Sequence, residues 1–412
     1  MARMNRRTFL RATGAAAAAG ALGVPSFRPL ALAATAETIK IGFPLPQTGP
    51  FGALAREQER GAVLAMEEVN AKGGVLGRKL EIIFRDDQLK SGEAAKRAKE
   101  LIENEKVHFM AGAIGAHTQM AVNEQTKKAK MLFNSLSQSD EITAKPDWSP
   151  WTFHEAMNPS ITSKAIGTWA LENLGKRWWI LHADYAWGNQ NLAGFKKVAA
   201  ARGGTILGST AYPLGSTDFS PYLPKIRDAK PEVLVAVTPG KDQVNSFKQI
   251  HAFGLKKEMK VIAPLLFLWE RKEAGAEPYA GVYSGTTFYW ELADTIPSTK
   301  QFVDAFWKRW GNPPGDYAGY GYSGIKEIAR GIELAKFLDS DKVAAALRGT
   351  SYDHYKGKQW WRACDNKSFQ DVYILRGRDP DKVKGDWGFF DIISTMPASE
   401  DMDRTCAEKG HA

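Results

Sequence analysis

The chain has 412 residues, 44% of them apolar and 25% charged, with two cysteines and a formal charge of +9. Five of those charges are arginines before residue 37, so nine less five leaves +4, spread evenly over the rest. That balance excludes a basic nucleic-acid-binding face, and no later run of about 18 apolar residues offers a membrane span.

Residues 1–36 hold the five arginines and no lysine or acid. They contain Asn5-Arg6-Arg7-Thr8-Phe9-Leu10, an Ala/Gly-rich stretch over 13–24, and small-residue sites at Ala31-Leu32-Ala33 and Ala34-Thr35-Ala36. A basic start, a weakly apolar middle and a small-residue cleavage site read as an export signal rather than as fold. The paired arginines before Phe9-Leu10 suit a twin-arginine signal; a general secretory signal with a chance arginine pair is the alternative. Cleavage near Ala33 or Ala36 would release a mature chain into the periplasm, with no cysteine at its new end to carry a lipid.

From residue 38 the pattern alternates. A strand over 38–44 (Ile39, Ile41, Phe43) leads to a helix over 57–72 with Ala62, Val63, Met66 and Val69 on one face, ended by Gly73-Gly74. A strand over 79–84, a helix over 92–105, a strand over 107–113, a helix over 118–130 and a strand over 131–136 follow. The alternation restarts with a helix over 160–173, a strand over 177–182 and a helix over 188–201, then strands over 205–212, 233–238 and from 261. Thr217-Asp218 reads as a cap for a helix with Pro221 in its first turn. Regular strand–helix alternation predicts an α/β fold of mostly parallel sheets covered by helices, and two such runs predict two Rossmann-like lobes. Helices around Phe302–Trp310 and over 316–337 lack a following long parallel strand and read as a return to the first lobe. The expected division is 1–36 as signal, 37–157 plus 290–361 as one lobe, and 158–289 plus 362–412 as the other.

Cys364 and Cys406 lie near the C-terminus. In an oxidising compartment they pair, closing a loop of about 43 residues for roughly 4 kcal/mol on the chain-entropy model; two separate buried thiols are the alternative. The stretch from Pro380 onward shows little regular patterning that would hold it otherwise.

Parallel sheets bind ligands beyond the carboxyl ends of their strands, where helix N-termini present free N–H groups. Gly115-Ala116-His117-Thr118 and Ser137-Gln138-Ser139-Asp140 occupy such places in the first lobe, although Thr118 and Asp140 read equally as ordinary helix caps. Asp184-Tyr185-Ala186-Trp187-Gly188, Pro239-Gly240 and Leu265-Leu266 occupy them in the second. No His-Glu-x-x-His motif, Cys/His cluster, Gly-x-Ser-x-Gly elbow or phosphate loop appears, so no catalytic residue, metal or cofactor is expected. His154 and His182 lie in apolar strands and read as core.

The order of motifs resembles the leucine/isoleucine/valine-type periplasmic solute-binding proteins of ABC importers. The carriers are Ile39-Lys-Ile-Gly-Phe-Pro-Leu-Pro-Gln-Thr-Gly-Pro50, Asn70-Ala-Lys-Gly-Gly-Val-Leu-Gly77 with Asp86-Asp87, Thr118-Gln119, Tyr185 to Gly188, and Asp218-Phe219-Ser220-Pro221 with Pro231. The resemblance implies two lobes joined by three crossovers, near Met157, Tyr289 and Trp361, closing by a hinge on a ligand that is passed to a membrane permease. It implies ligand contacts from Gly115, Ala116, His117, Thr118, Ser137, Gln138, Trp187, Gly240, Leu265 and Tyr322, with Leu54 at the pocket edge and no cofactor.

Departures from that pattern bear on the ligand. Leu265 stands where amino-acid binders of the family carry the acid that pairs the α-ammonium, Gln138 where they carry a threonine, and Gly115 where they carry a serine. An ammonium buried without an anion costs several kcal/mol. With Trp187, Tyr322 and Phe51 as aromatic walls, the expected ligand is an aromatic or other organic acid, or an amide. The alternatives are a branched-chain or other amino acid, with Asp184 or Asp140 supplying the charge, and a periplasmic protein that presents its ligand to a sensor. The mature chain is expected to be monomeric and outside the membrane.

Overall fold

The structure is a computed structural model and describes residues 37–411; the expected export signal lies outside the described residues. The first lobe begins with β1 (Ile39–Leu45), α1 (Gly52–Ala71), β2 (Leu80–Asp86), α2 (Ser91–Glu103), β3 (Phe109–Gly112), α3 (Ala116–Lys128), β4 (Phe133–Ser135) and β5 (Thr152–His154). Its five strands run parallel in the order β2-β1-β3-β4-β5. Ile39, Ile41, Phe43, Phe109 and Phe153 are fully buried in this sheet, as strands covered on both faces require.

Asn158 then caps α4 (Pro159–Asn173), its side chain accepting from the Ile161 N–H at 3.0 Å with Pro159 as first helical residue. The second lobe continues through β6 (Arg177–Ala183), α5 (Ala186–Ala201), β7 (Thr205–Tyr212), α6 (Leu223–Asp228), β8 (Val233–Val237), α7 (Lys241–Ala252), β9 (Lys260–Ala263), α8 (Leu268–Ala274), α9 (Ala276–Tyr279) and β10 (Tyr283–Thr286). The helix expected to start at Thr217-Asp218 begins instead at Leu223. Asp218 accepts from the Ser220 N–H (2.9 Å) and hydroxyl (2.6 Å), which spends its side chain on a local turn.

The chain returns to the first lobe for α10 (Pro297–Trp310), α11 (Asp316–Ala335) and α12 (Ser340–Leu347). Helices α1 and α11 cross at very close range. A Cβ on Gly61 would stand 1.8 Å from the Ala318 carbonyl, and one on Gly321 would stand 2.0 Å from the Gln58 carbonyl. Both glycines are therefore required by backbone contact.

A small antiparallel sheet follows, β11 (Ser351–Tyr352), β12 (Gln359–Trp361) and β13 (Ser368–Phe369). It packs on the first lobe, with the Trp361 ring edge-on to Phe153 at 5.1 Å. The third crossing between the lobes therefore falls after Phe369, not near Trp361. Then β14 (Val372–Gly377) and β15 (Phe390–Met396) add antiparallel strands to the second sheet, whose order is β15-β14-β10-β9-β8-β6-β7. The tail thus contains a regular strand that its mixed pattern, Phe390-Asp-Ile-Ile-Ser-Thr-Met, conceals.

Cys364 and Cys406 form a disulfide. Beside it the Lys409 ammonium is fully buried, bonded to Asp365 (2.8 Å), Asp403 and the Thr143 hydroxyl (2.9 Å). Arg362 joins the same two carboxylates. Together they hold Asp365 down to about 2 and lower Asp403 as well. Residues 403–411 therefore lie against the 143–145 loop of the first lobe, where the sequence reading groups 362–412 with the second. The cause is this buried ion cluster, because a lysine with no access to water needs its anions in contact.

Candidate functional site

The carboxyl ends of strands from both sheets face one another, and the loops that leave them line a narrow cavity. Phe51, Leu54, Ile114, Ala116, Gln138 and Tyr317 line it from the first lobe; Tyr185, Trp187, Pro239, Leu265 and Phe267 line it from the second. No lysine, arginine or carboxylate is among these residues.

Bonds between the lobes hold the cavity shut. The Trp187 indole N–H donates to Gln138 Oε1 at 2.9 Å. Gln190 accepts from the Asp140 N–H at 3.0 Å, and the Lys241 N–H meets the Pro50 carbonyl at 3.3 Å. The last contact depends on Gly240, whose φ is +50° and whose missing Cβ would stand 2.9 Å from both the Phe51 ring and the Pro50 carbonyl.

The same geometry sets the polarity of the cavity. An indole N–H can only donate, so the atom of Gln138 that faces it is the carbonyl oxygen. The Gln138 amide nitrogen is then left buried without a partner in a residue 2% exposed. Helix α3 starts at this spot with Gly115 as its cap and no side-chain acceptor for its first N–H groups. Helix α5 likewise starts beside Trp187 with an uncapped first turn. Such helix starts carry partial positive charge. Burial pushes the Tyr185 and Tyr317 phenols well above their ordinary range, so both keep their protons and remain donors. An apolar slot with amide, phenol and backbone N–H donors suits a flat ligand bearing a carboxylate or carbonyl.

Of the residues expected to touch ligand, Ala116, Gln138, Trp187 and Leu265 meet in this cavity. Four others turn away, each for a visible reason. His117 Nε2–H donates to the Leu89 carbonyl at 3.0 Å. The Thr118 hydroxyl donates to the Gly115 carbonyl at 3.1 Å, and the Ser137 hydroxyl to that of Ile114. Tyr322 donates to Glu68 at 2.8 Å and packs on Phe302 at 4.6 Å, inside the first lobe. Gly115 caps α3 and Gly240 carries the close approach, so both shape the site through backbone. Asp140 is bonded to the Ser160 N–H at 3.0 Å and pushed up to about 6 by burial. Asp184 accepts from Asn189 at 3.3 Å on the surface. Neither carboxylate reaches the cavity.

The reading of single residues missed Ile114, Phe267 and Tyr317. Tyr317 sits in the first turn of α11, the end that points at the cleft, while Tyr322 lies further along on another face. Phe267 is hidden in the apolar run Leu265-Leu266-Phe267-Leu268. Among the described residues no helix is long and apolar enough to cross a membrane, and no group of three or more His, Cys, Asp or Glu is placed to hold a metal ion.

The family model described as periplasmic binding protein matches residues 38–382. The Leu/Ile/Val-binding protein homolog 6 of Brucella suis is 27% identical over 340 residues, covering 80% of this chain and 85% of that protein. A solved periplasmic binding protein from Burkholderia mallei superposes with a TM-score of 0.84 at 26% identity, covering 90% of this chain and 97% of that one. An ABC-transporter solute-binding protein from Rhodopseudomonas palustris BisB5, solved with 3,4-dihydroxybenzoic acid, gives 0.80 at 28%, covering 88% and 98%. Two α/β lobes closed over a donor-lined slot, together with a match across most of its length, make this chain a member of the periplasmic binding protein family, the solute-binding components of ABC transporters.

Proposed function

We propose that this protein captures a small aromatic carboxylate, or the corresponding amide, between its lobes and delivers it unaltered to an ABC permease. The observation that carries this reading is the unpartnered Gln138 amide N–H in an aromatic-walled cavity free of carboxylates. A carboxylate there would accept from Gln138, from the phenols and from the first turn of α3, each a charge-assisted bond of about 1.5–3 kcal/mol. The Rhodopseudomonas relative with its dihydroxybenzoic acid supports the class. Ligand enters the open cleft against the 115–118 and 137–140 loops. The second lobe then brings Trp187, Pro239 and Leu265 over it, driven by the greater affinity of the closed state. In this reading the chain acts as a monomer in the periplasm after loss of residues 1–36, and it catalyses nothing.

A second reading, a branched-chain amino acid, is favoured by the name of the Brucella relative. It meets an obstacle in Leu265 and the absence of any acid from the cavity wall, because a buried ammonium requires an anion. A thermal-shift screen separates the two: benzoate and hydroxybenzoates should raise the Tm. Stabilisation by leucine or valine with none by the aromatic acids would reverse the assignment.

A further inference from the structure

The second lobe lines the cavity from three loops. Tyr185 and Trp187 follow β6, Pro239 follows β8, and Leu265 and Phe267 follow β9. The last two loops have no strand ladder between them at this depth. Strands β8 and β9 pair only over 233–235 and 260–262, and residues 264–267 belong to neither a strand nor a helix.

One side chain bridges them. Gln243 sits in the first turn of α7 and is 1% exposed. Its Nε2 donates to the Leu265 carbonyl at 2.8 Å and to the Thr238 carbonyl at 3.3 Å. Its Oε1 accepts from the Phe267 N–H at 3.3 Å and from the Tyr279 hydroxyl at 2.9 Å. A side-chain amide has two donor hydrogens and two acceptor lone pairs, and here all four are used. Its orientation is forced, since a flipped amide would set its oxygen against two carbonyls and its nitrogen against the Phe267 N–H. The Leu265 carbonyl and the Phe267 N–H, in residues 2% and 4% exposed, have no backbone partner among the described residues. Buried groups of this kind need a partner, and Gln243 is the one they have.

The bridge acts on the shape of the slot. Thr238 precedes Pro239, so Gln243 fixes the spacing of Pro239, Leu265 and Phe267, three of the five second-lobe residues in the lining. The Phe267 ring lies 6.2 Å from the Tyr317 ring of the first lobe, so a shift of the 265–267 segment changes the width of the slot directly. Gln243 itself is not part of the lining.

We propose that Gln243 is a positioning residue for the cavity: its amide holds the Pro239, Leu265 and Phe267 wall at one spacing and so sets which ring substituents an aromatic acid can carry. The proposal rests on the aromatic-acid reading of the cavity and deepens it, by naming what determines its selectivity.

The test is calorimetry with benzoate and 4-ethylbenzoate on two variants. Gln243→Met removes all four bonds at similar volume. Gln243→Glu keeps the acceptor for Phe267 and Tyr279 and loses the donors to the two carbonyls. In each folded variant the ratio of the two affinities should move at least fivefold towards the larger acid, because a wall without its brace yields. A smaller shift, or one towards benzoate, would overturn the proposal even if both affinities fell together, since the amide would then support the fold and nothing more. If neither acid binds the native chain, the aromatic-acid reading fails, and hydrogen exchange decides the brace. The Phe267 amide should then be accelerated in Gln243→Met at least tenfold more than the amides of β8, and a uniform acceleration overturns it. Should both variants fail to fold, exchange in the native chain is decisive. A Phe267 amide slowed more than a hundredfold relative to a free amide supports the brace, and one slowed less overturns it.

Discussion

Behind Phe267 the Gln138 cavity adjoins a second space between the lobes, lined by Glu57, Asp316, Phe288, Tyr289 and Phe390, and the two differ in what they offer. The one at Gln138 presents donors: an unpartnered amide N–H, two protonated phenols and two helix starts. The one at Glu57 presents two buried carboxyl groups, Glu57 and Asp316, and no lysine or arginine in its lining. Both are walled by aromatic rings, so shape and apolar contact do not distinguish them. Polarity does: an amide and two phenols line one, two carboxyl groups the other. The most severe way to break the contrast is Gln138→Glu, which sets a carboxylate where the free N–H stands. Affinity for benzoate should fall at least a hundredfold by calorimetry, about 3 kcal/mol, because two anions would share a dry site. Retained affinity would show that the ligand head lies elsewhere.

Trp187→Ala sharpens the same side. It removes an aromatic wall and the bond that holds Gln138 in the orientation that frees its N–H. Binding should weaken at least tenfold, about 1.4 kcal/mol or more, with far-ultraviolet circular dichroism unchanged. A smaller change is expected at the tyrosines. Tyr317→Phe should cost three- to tenfold in benzoate affinity, about 1 kcal/mol for one hydrogen bond. Tyr322→Phe should stay within twofold, since its hydroxyl serves Glu68 inside the first lobe.

That last pair shows where reading the chain alone succeeds and stops. Strand–helix alternation placed the 115–118 and 137–140 loops at strand ends, and Ala116, Gln138, Trp187 and Leu265 do converge. Side-chain direction was not legible. Short hydroxyls such as Thr118 and Ser137 bond to the nearest carbonyl, which is usually local. Tyr317, Tyr320 and Tyr322 lie within two turns of α11, and which of them faces the cleft depends on how α11 seats on α1 through Gly61 and Gly321. Glu57 and Asp316 read as ordinary helix acids. Only the closing of α1 and α11 over each other, with the 266–268 segment of the second lobe beside them, takes them out of water.

The smallest expected effect is on stability, and it tests the burial of the carboxyl groups behind Phe267. Burial raises Asp316 and Glu270 to about 7 and Glu57 well above its ordinary range. An acid whose folded pKa is raised costs stability above that pKa, and the cost is relieved as pH falls through it towards the unfolded value near 4. Asp87 and Asp242, raised to about 7, and Asp140, raised to about 6, act in the same direction. Lys367, lowered to about 7, and His154, His108 and His182, all lowered by burial, act the other way, because the unfolded chain binds more protons than the folded one at these groups; the six raised carboxyl groups outweigh them. The ion cluster around Asp365 acts only below pH 4, where its carboxylates begin to protonate. The Tm of the ligand-free protein should therefore rise by about 2 °C from pH 7.5 to 5.5, for roughly 1 kcal/mol in a chain of this size. Asp316→Asn with Glu57→Gln should raise the Tm at pH 7.5 and flatten the dependence, because the amides carry no charge to neutralise. A Tm that falls over the same window in the native chain would mean that these carboxylates keep their water, and that the chamber around Phe267 stays open when the lobes meet.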